Sequence, residues 1–148
     1  MMLLDTNVVS EAIRMNARPD VLDWMRHQRL EDLHLAAPSL AELLVGIEAM
    51  PTGRKRSLLA KGLGVFVRAH IRDRVLSFDR RAAGAYAKLI VDARRRGRAI
   101  SVVDGQIAAI AHVHDLAVAT RDVGPFEAVG LTVINPWDQG VPDIRPEE

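Results

Sequence analysis

Four carboxylates occupy positions in the sequence from which their side chains could form one reactive site. Asp5 follows an apolar run at residues 2–4, Asp122 follows a second at 116–119, and Glu42 and Asp104 each lie at the start of a predicted helix. In an open α/β sheet, ligands bind outside the carboxyl ends of the strands. Four acids there would repel one another unless a cation neutralised them, and such oxygen ligands suit Mg²⁺ or Mn²⁺. The pattern indicates a site that activates water and screens a phosphodiester during in-line attack.

Each acid also has an alternative role in local structure. Ser39 and Glu42 have the spacing of a capping box, in which Glu42 would only stabilise the start of its helix. Asp104 could be an N-cap, and Asp122 could be a turn residue. Asp5 is the hardest of the four to explain in this way, because aspartate is depleted in strands and it directly follows apolar residues.

Thr6 and Asn7 directly follow Asp5. Their side chains could support a metal ion or position its water. They could also cap the first predicted helix, and the two roles can coexist.

Short apolar runs alternate with helical stretches, which predicts an α/β fold with a parallel sheet of about five strands. Strands are predicted at residues 2–4, 33–36, 75–78, 99–103 and 116–119, with a short final strand at 131–134. Helices are predicted at residues 7–15, 19–28, 39–50, 53–68, 80–96 and 104–114. The 148 residues fit one domain. We expect it to span residues 1–140 and to be followed by a frayed polar tail at 141–148.

The composition excludes several classes of protein. There is no cysteine, which rules out disulfides, thiol nucleophiles and iron–sulfur clusters. The longest stretches without a charged residue are ten residues, too short for a membrane span of about 20. The first residues lack a basic region and meet Asp5 at once, so we expect no signal peptide. We therefore expect a cytoplasmic protein, with which the absence of cysteine is compatible.

The net charge of +1 conceals an uneven distribution. Residues 54–98 contain 14 basic and 3 acidic residues, a net charge of +11, which leaves −10 for the rest of the chain. Arginine matches phosphate geometry, so this segment could hold nucleic acid. The alternative is that these residues only solvate the outer faces of helices.

Five blocks of this sequence, in order, resemble the PIN-domain ribonucleases of the VapC toxin family, most closely a FitB-like branch. The resemblance covers roughly residues 1–138. Its blocks are residues 2–11 (MLLDTNVVSE), 39–43 (SLAEL) with Gly46, 101–109 (SVVDGQIAA), 119–122 (ATRD) and 133–137 (VINPW).

The resemblance implies an α/β/α sandwich whose acidic pocket binds Mg²⁺ or Mn²⁺ and hydrolyses RNA. It implies that Asp5 and Asp104 are metal ligands, that Glu42 and Asp122 complete or position the site, and that Thr6 supports the metal or its water. Toxins of this family usually dimerise. They are held inactive by a small antitoxin, of the VapB or FitA kind, that also binds operator DNA.

One block departs from the common family pattern. Many VapC-like chains carry Asn at the position of Asp122 and an Asp three residues later, where this chain has Pro125. The FitB-like pattern places the acid where Asp122 stands, so we assign the role to that residue.

Three other functions are alternatives to a nuclease. A receiver-type signalling domain would need a lysine after the fifth strand, and no lysine follows Lys88. A phosphatase with an aspartyl nucleophile would need a second acid where Asn7 stands. A PIN-fold module that binds RNA or an antitoxin without efficient cleavage remains, although the presence of all four acids favours an enzyme.

Overall fold

A computed structural model describes residues 1–139; the predicted tail at 141–148 lies outside the described residues. Five strands form one sheet: β1 (Met2–Leu4), β2 (Leu33–Ala36), β3 (Val75–Leu76), β4 (Ala117–Ala119) and β5 (Val133–Ile134). Seven α-helices surround it within the described part: α1 (Thr6–Ala12), α2 (Pro19–Arg26), α3 (Ala37–Glu48), α4 (Arg54–Phe66), α5 (Arg80–Arg95), α6 (Val102–Val113) and α7 (Gly124–Glu127). None of the helices in residues 1–139 is long and apolar enough to cross a membrane.

The sheet has the strand order β3-β2-β1-β4-β5, and every pairing in it is parallel. The predicted α/β fold class with a five-stranded parallel sheet is therefore confirmed. β1 lies in the centre, and all three of its residues are buried. Strands covered on both faces need continuous apolar runs, which explains why Met2–Leu4 and Leu33–Ala36 show little polar alternation.

Two apolar layers cover the two faces of this sheet. One contains Leu4, Val8, Leu35 and Ile47, packed with α1, α2, α3 and α4. The other contains Leu3 and Val118, packed against the alanine-rich α6 and against α5. Alternate residues of β1 thus enter opposite layers, as the pleat of a strand requires.

The predicted strand at residues 99–103 is wrong. Ser101 accepts a hydrogen bond from the backbone N–H of Asp104 at 3.1 Å and caps α6, which begins at Val102. A serine three residues before an acid is a typical helix start. This local preference outweighs the strand propensity of the two valines that follow Ser101. The fifth strand of the sheet is β5, which was predicted as a short final strand.

Several predicted boundaries also differ from the structure. β3 ends at Leu76, two residues before the predicted end. The basic helix predicted at residues 53–68 is not interrupted by its glycines; it continues from α4 into a π-helical turn at Val67–Ile71. The short helices at Leu30–Asp32 and in α7 were not predicted. Three or four residues are too few to produce a recognisable apolar period.

Candidate functional site

The parallel strands bring three of the four predicted acids to one edge of the sheet. Asp5 follows β1, Asp122 follows β4 after two residues, and Glu42 lies in α3, which continues directly from β2. Asp104 reaches the site from the first turn of α6 instead of from a strand. We call the group formed by Asp5, Glu42, Asp104 and Asp122 the acidic pocket.

Asp5 is buried and held by hydrogen bonds on both carboxylate oxygens. Its Oδ1 accepts from the backbone N–H of Thr6 at 2.8 Å, which caps α1. Its Oδ2 accepts from the hydroxyl of Thr120 at 2.8 Å. The predicted capping of α1 by Thr6 or Asn7 is therefore wrong, because Asp5 itself performs it.

Glu42 does not act in a capping box. The N-cap of α3 is Ala36, with no side-chain cap, and the buried hydroxyl of Ser39 has no partner in residues 1–139. The Glu42 carboxylate instead accepts a hydrogen bond from the Thr6 hydroxyl at 2.6 Å. Its hydrogen bond is with the residue next to Asp5, so Glu42 stands at the same end of the sheet as Asp5.

Asp104 is not the N-cap of α6, because Ser101 holds that position. It lies in the first helical turn, where the helix dipole favours a negative charge. The next residue, Gly105, sits so close to α5 that an added Cβ would lie 2.8 Å from both Ile90 Cδ1 and Tyr86 Cε2. The packing of α6 on α5 therefore fixes where Asp104 stands.

A network of hydrogen bonds joins the loop after β4 to the residues after β1. The buried Thr120 Oγ1, which donates to Asp5, accepts from the Asp122 backbone N–H at 3.0 Å and from Asn7 Nδ2 at 3.2 Å. Asn7 Oδ1 accepts from the Arg121 backbone N–H at 3.3 Å. Asn7 thus supports the loop that carries Asp122. Within residues 1–139 its side chain forms no hydrogen bond with a carboxylate.

The four acids are close enough to affect one another's ionisation. Burial raises the pKa of Asp5, against the opposing hydrogen bonds from Thr120 and Thr6, and the charges of Asp104 and Glu42 raise it further. Burial also raises the pKa of Asp104, against its hydrogen bond with Ser101, and the charges of Asp122 and Glu42 add to the shift. These couplings link all four carboxylates in one electrostatic cluster.

The donor set fits a hard divalent cation in chemistry, because it consists of carboxylate oxygens that repel one another. In residues 1–139, however, no three acidic or histidine side chains already stand in a metal-holding arrangement. Asp5 and Glu42 direct carboxylate oxygens at Thr120 and Thr6. These hydrogen bonds leave room for a cation, because each carboxylate oxygen has a second lone pair that could ligate it.

A cavity of about 700 Å³ adjoins the pocket between α1, α3 and α4. Glu42 of the acidic pocket and its partner Thr6 line part of this cavity. Ile13 and Leu58 contribute apolar surface, and Lys55 contributes a positive charge. The cavity gives an extended ligand room next to the carboxylates.

Two arginines of the basic segment at residues 54–98 already have partners within the protein. The Arg74 guanidinium donates to the backbone carbonyls of Leu30, Leu33 and His70 and so has a structural role. Arg56 pairs with Glu48 on an exposed surface. Binding of nucleic acid by the other basic residues of this segment stays a prediction.

The sequence did not single out Thr120, Ser101 or the pair formed by Arg121 and Trp137. The guanidinium carbon of Arg121 lies 5.3 Å from the centre of the Trp137 ring. A Ser-x-x-Asp spacing could have revealed the cap at Ser101. No local pattern reveals Thr120, because its partner Asp5 is 115 positions away.

Comparison with known proteins gives consistent relatives along nearly the whole chain. A family model described as "PIN domain" matches residues 2–130. The chain is 47% identical over 138 residues to the plasmid stability protein StbB of Pseudomonas syringae pv. tomato and 44% identical over 138 residues to the VapC ribonuclease Y4jK of Sinorhizobium fredii. It is 40% identical over 137 residues to the toxin FitB of Neisseria gonorrhoeae. Each match covers 93% of this chain and 99% of the relative.

Solved structures give the same result. FitAcB from Neisseria gonorrhoeae aligns with a TM-score of 0.87 and 40% identity over 93% of this chain and 99% of that chain. FitAB bound to an IR36 DNA fragment aligns with a TM-score of 0.87 and 37% identity, covering 95% and 99%. VapBC-5 from Mycobacterium tuberculosis, of the VapBC family of toxin–antitoxin systems, aligns with a TM-score of 0.64 and 27% identity, covering 90% and 94%.

Proposed function

This chain belongs to the PIN-domain family, among its VapC-like and FitB-like members, and we propose that it is a metal-dependent ribonuclease toxin of a toxin–antitoxin module. The observation that carries the proposal is the gathering of four carboxylates at the carboxyl ends of the parallel strands, where Thr120 holds Asp5 and Thr6 holds Glu42. The names of two relatives, a VapC ribonuclease and the toxin FitB, support the same activity.

In this proposal Asp5 and Asp104 hold Mg²⁺ or Mn²⁺, and Glu42 and Asp122 complete the pocket. The ion supplies charge neutralisation at the phosphodiester and lowers the pKa of an attacking water. Thr120 orients the Asp5 carboxylate, and Thr6 orients Glu42, through the hydrogen bonds described above. Asn7 keeps the loop of Asp122 against the start of α1.

The proposed partners are RNA as substrate and a small antitoxin of the VapB or FitA kind. Operator DNA is contacted only through the antitoxin, and the toxin works as a homodimer or in a larger toxin–antitoxin complex. Relatives solved as FitAB with DNA and as a VapBC toxin–antitoxin system support this assignment. RNA and the antitoxin meet in the cytoplasm, where we locate the activity.

The proposal is tested by incubating the purified protein with labelled single-stranded RNA in EDTA and then with Mg²⁺ or Mn²⁺. We expect cleavage only with a metal. Asp104→Asn should reduce the rate by more than the ~10–100-fold typical of residues that only support a ligand, because a ligand itself is lost. Asp115→Asn is the matched control, because it makes the same chemical change at an exposed residue that follows α6 by two positions. Asp115 adopts a φ of 54°, which asparagine also tolerates.

Two outcomes contradict the proposal. Cleavage by Asp104→Asn at the rate of the control would exclude the acidic pocket as the site of reaction. Binding of RNA by the wild-type protein without cleavage in either metal would favour the alternative, a PIN-fold module that binds RNA or an antitoxin.

A further inference from the structure

We propose that Arg121, resting on the indole ring of Trp137, binds a phosphate of the RNA backbone and positions the strand over the acidic pocket. The proposal rests on the ribonuclease function proposed above and adds a substrate-positioning residue to it. Neither residue belongs to the four carboxylates or to the threonines that orient them.

The fold places Arg121 beside the pocket. It stands between Thr120, which holds Asp5, and Asp122 in the loop after β4. Its backbone N–H donates to Asn7, so the backbone of this loop is tied to the start of α1. Trp137 follows β5, the neighbour of β4, at the same edge of the sheet. The pair therefore forms the β5 side of the pocket rim.

The guanidinium of Arg121 is exposed and forms no ion pair within residues 1–139, although Asp122 is its neighbour in the chain. It lies instead over the half-buried Trp137 ring at 5.3 Å. A cation–π contact with the face of a ring uses none of the guanidinium N–H groups as a hydrogen-bond donor, so their fork remains available to a phosphate. The cation is thus held in place without being neutralised by any acid of residues 1–139.

Trp137 is itself fixed in position. Its backbone N–H donates to Asn135 Oδ1 at 3.0 Å, and its side chain packs against the apolar layer that contains Leu4 and Leu35. An arginine side chain loses much rotamer freedom when it binds a ligand. The fixed ring reduces that loss by orienting Arg121 before the substrate arrives.

The negative charge of the acidic pocket explains why a cation at its rim would help RNA to bind. A cluster of four carboxylates repels a polyanion, and one or two divalent ions offset that repulsion only at the reacting phosphate. The neighbouring phosphates of the strand still face a negative rim. A free guanidinium at the rim attracts one of them and fixes the register of the strand on the pocket.

The alternative is that Arg121 only covers the Trp137 ring and has no role in binding. Both roles predict some loss of stability when Arg121 is removed. Only phosphate binding predicts a change in the salt dependence of RNA affinity. Each phosphate contact releases counterions from the RNA when the complex forms, so a variant that lacks one contact releases fewer.

The test measures RNA binding as a function of salt in the full chain that carries Asp104→Asn, so that cleavage does not interfere. Adding Arg121→Gln should reduce the slope of log affinity against log salt by about 0.7, the value for one contact on a single strand. When the salt is raised from 50 to 200 mM, the factor by which RNA affinity falls should be roughly threefold smaller with Arg121→Gln than without it. Arg121→Lys should retain the slope, because it keeps the charge.

Arg26→Gln is the matched control, because Arg26 is also exposed and lies outside the basic segment at residues 54–98. It stands in the last turn of α2, which precedes β2, and so lies at the edge of the sheet opposite the pocket. The change removes the same charge from the molecule, and the exposed ion pair of Arg26 with Asp23 contributes little to stability. In protein with an intact pocket, Arg121→Gln should raise KM several-fold and leave kcat within about twofold, the pattern of lost uniform binding.

The proposal is overturned if Arg121→Gln and Arg26→Gln have the same KM and the same salt slope, even if Arg121→Gln lowers the melting temperature. It is also overturned if only the binding of a protein partner changes. Failure of the wild-type protein to cleave RNA with either metal would instead overturn the proposed function, since the binding experiment does not depend on cleavage.

Discussion

Two threonine hydroxyls each hold one acid of the pocket. Thr6 donates to Glu42 at 2.6 Å, and Thr120 donates to Asp5 at 2.8 Å. The sequence predicted the acids because each has a recognisable place after a strand or at a helix start. It also predicted a supporting role for Thr6, which stands beside Asp5. It could not predict the role of Thr120, because only the pairing of β1 with β4 brings Thr120 to Asp5.

The raised pKa of Asp104 makes the stability of the metal-free protein depend on pH. Burial raises this pKa in the folded chain, and unfolding returns it to its ordinary value. The protonated carboxyl of Asp104 contributes fully to the stability of the folded protein at pH values below its ordinary pKa. This contribution is lost as the pH rises through the raised pKa of the folded state. In EDTA, Asp104→Asn should therefore be more stable than wild type near neutral pH, and its advantage should shrink as the pH falls through that window.

Urea unfolding at several pH values measures this difference. Comparing the variant with wild type at each pH cancels the other groups that titrate. Asp115→Asn, two residues beyond the end of α6, is the control for removing one exposed carboxylate. An advantage of Asp104→Asn that is equal at all pH values, or absent, would contradict the interpretation that burial and the neighbouring acids raise the pKa.

At the level of the elements, α6 is where sequence prediction and structure differ most. The segment from residue 99 contains β-branched residues and was predicted as a strand, but Ser101 begins a helix there. Strand propensity in a short segment depends on whether a neighbouring strand is available, which one sequence does not reveal. The long, periodic α3 and α5 were predicted close to their observed ranges, because their apolar faces repeat over several turns.

Gly105 in α6 should be needed for both stability and activity. In Gly105→Ala the new Cβ would lie 2.8 Å from Ile90 and Tyr86, so α6 must move away from α5 or the side chains must shift. Overpacking costs about 1–3 kcal/mol, against a gain of about 1 kcal/mol in helix propensity. We expect a net loss of roughly 0–2 kcal/mol in the free energy of unfolding, together with reduced cleavage because Asp104 is displaced.

Gly84→Ala provides the control, since Gly84 lies in α5 and an added Cβ meets nothing within 4 Å. This variant should gain up to about 1 kcal/mol and retain activity. Chemical denaturation and the RNA cleavage assay measure both variants. If Gly105→Ala matches Gly84→Ala in stability and activity, the close contact between α5 and α6 does not position the site.

At the scale of the whole molecule, the fold class and the number of strands could be predicted, but the strand order could not. Alternation of apolar runs with helices indicates a parallel sheet, since parallel strands need crossover connections. The order β3-β2-β1-β4-β5 depends on which helix covers which face, and residue types alone do not determine it. That order decides which acids meet, because it places the ends of β1 and β4 side by side.

Metal binding should stabilise the whole chain. The folded pocket gathers four carboxylates that the unfolded chain disperses, so the ion binds the folded state preferentially. At a hundredfold excess over its dissociation constant, Mg²⁺ or Mn²⁺ should add about 2.7 kcal/mol to the free energy of unfolding. That gain corresponds to a rise of roughly 5–11 °C in melting temperature for a domain of this size.

Thermal melting in EDTA and in increasing Mn²⁺ measures this effect. Asp104→Asn should gain clearly less than wild type, whereas Asp115→Asn should gain as much. A wild-type protein whose melting temperature is the same in EDTA and in millimolar concentrations of both metals would contradict a metal site in the acidic pocket.

The bond between Thr120 and Asp5 spans 115 positions of the chain and has a consequence for the timing of folding. A ribosome releases the chain from its N-terminus at about 5–20 residues per second. β1 can pair with β2 early, but β4 must emerge before Thr120 can orient Asp5 or Asp122 can join the pocket. Closing so long a loop costs entropy that only later contacts offset. A nascent chain therefore lacks the complete acidic pocket during most of its synthesis, and under the proposed function it can cleave RNA only after Asp122 has left the ribosome.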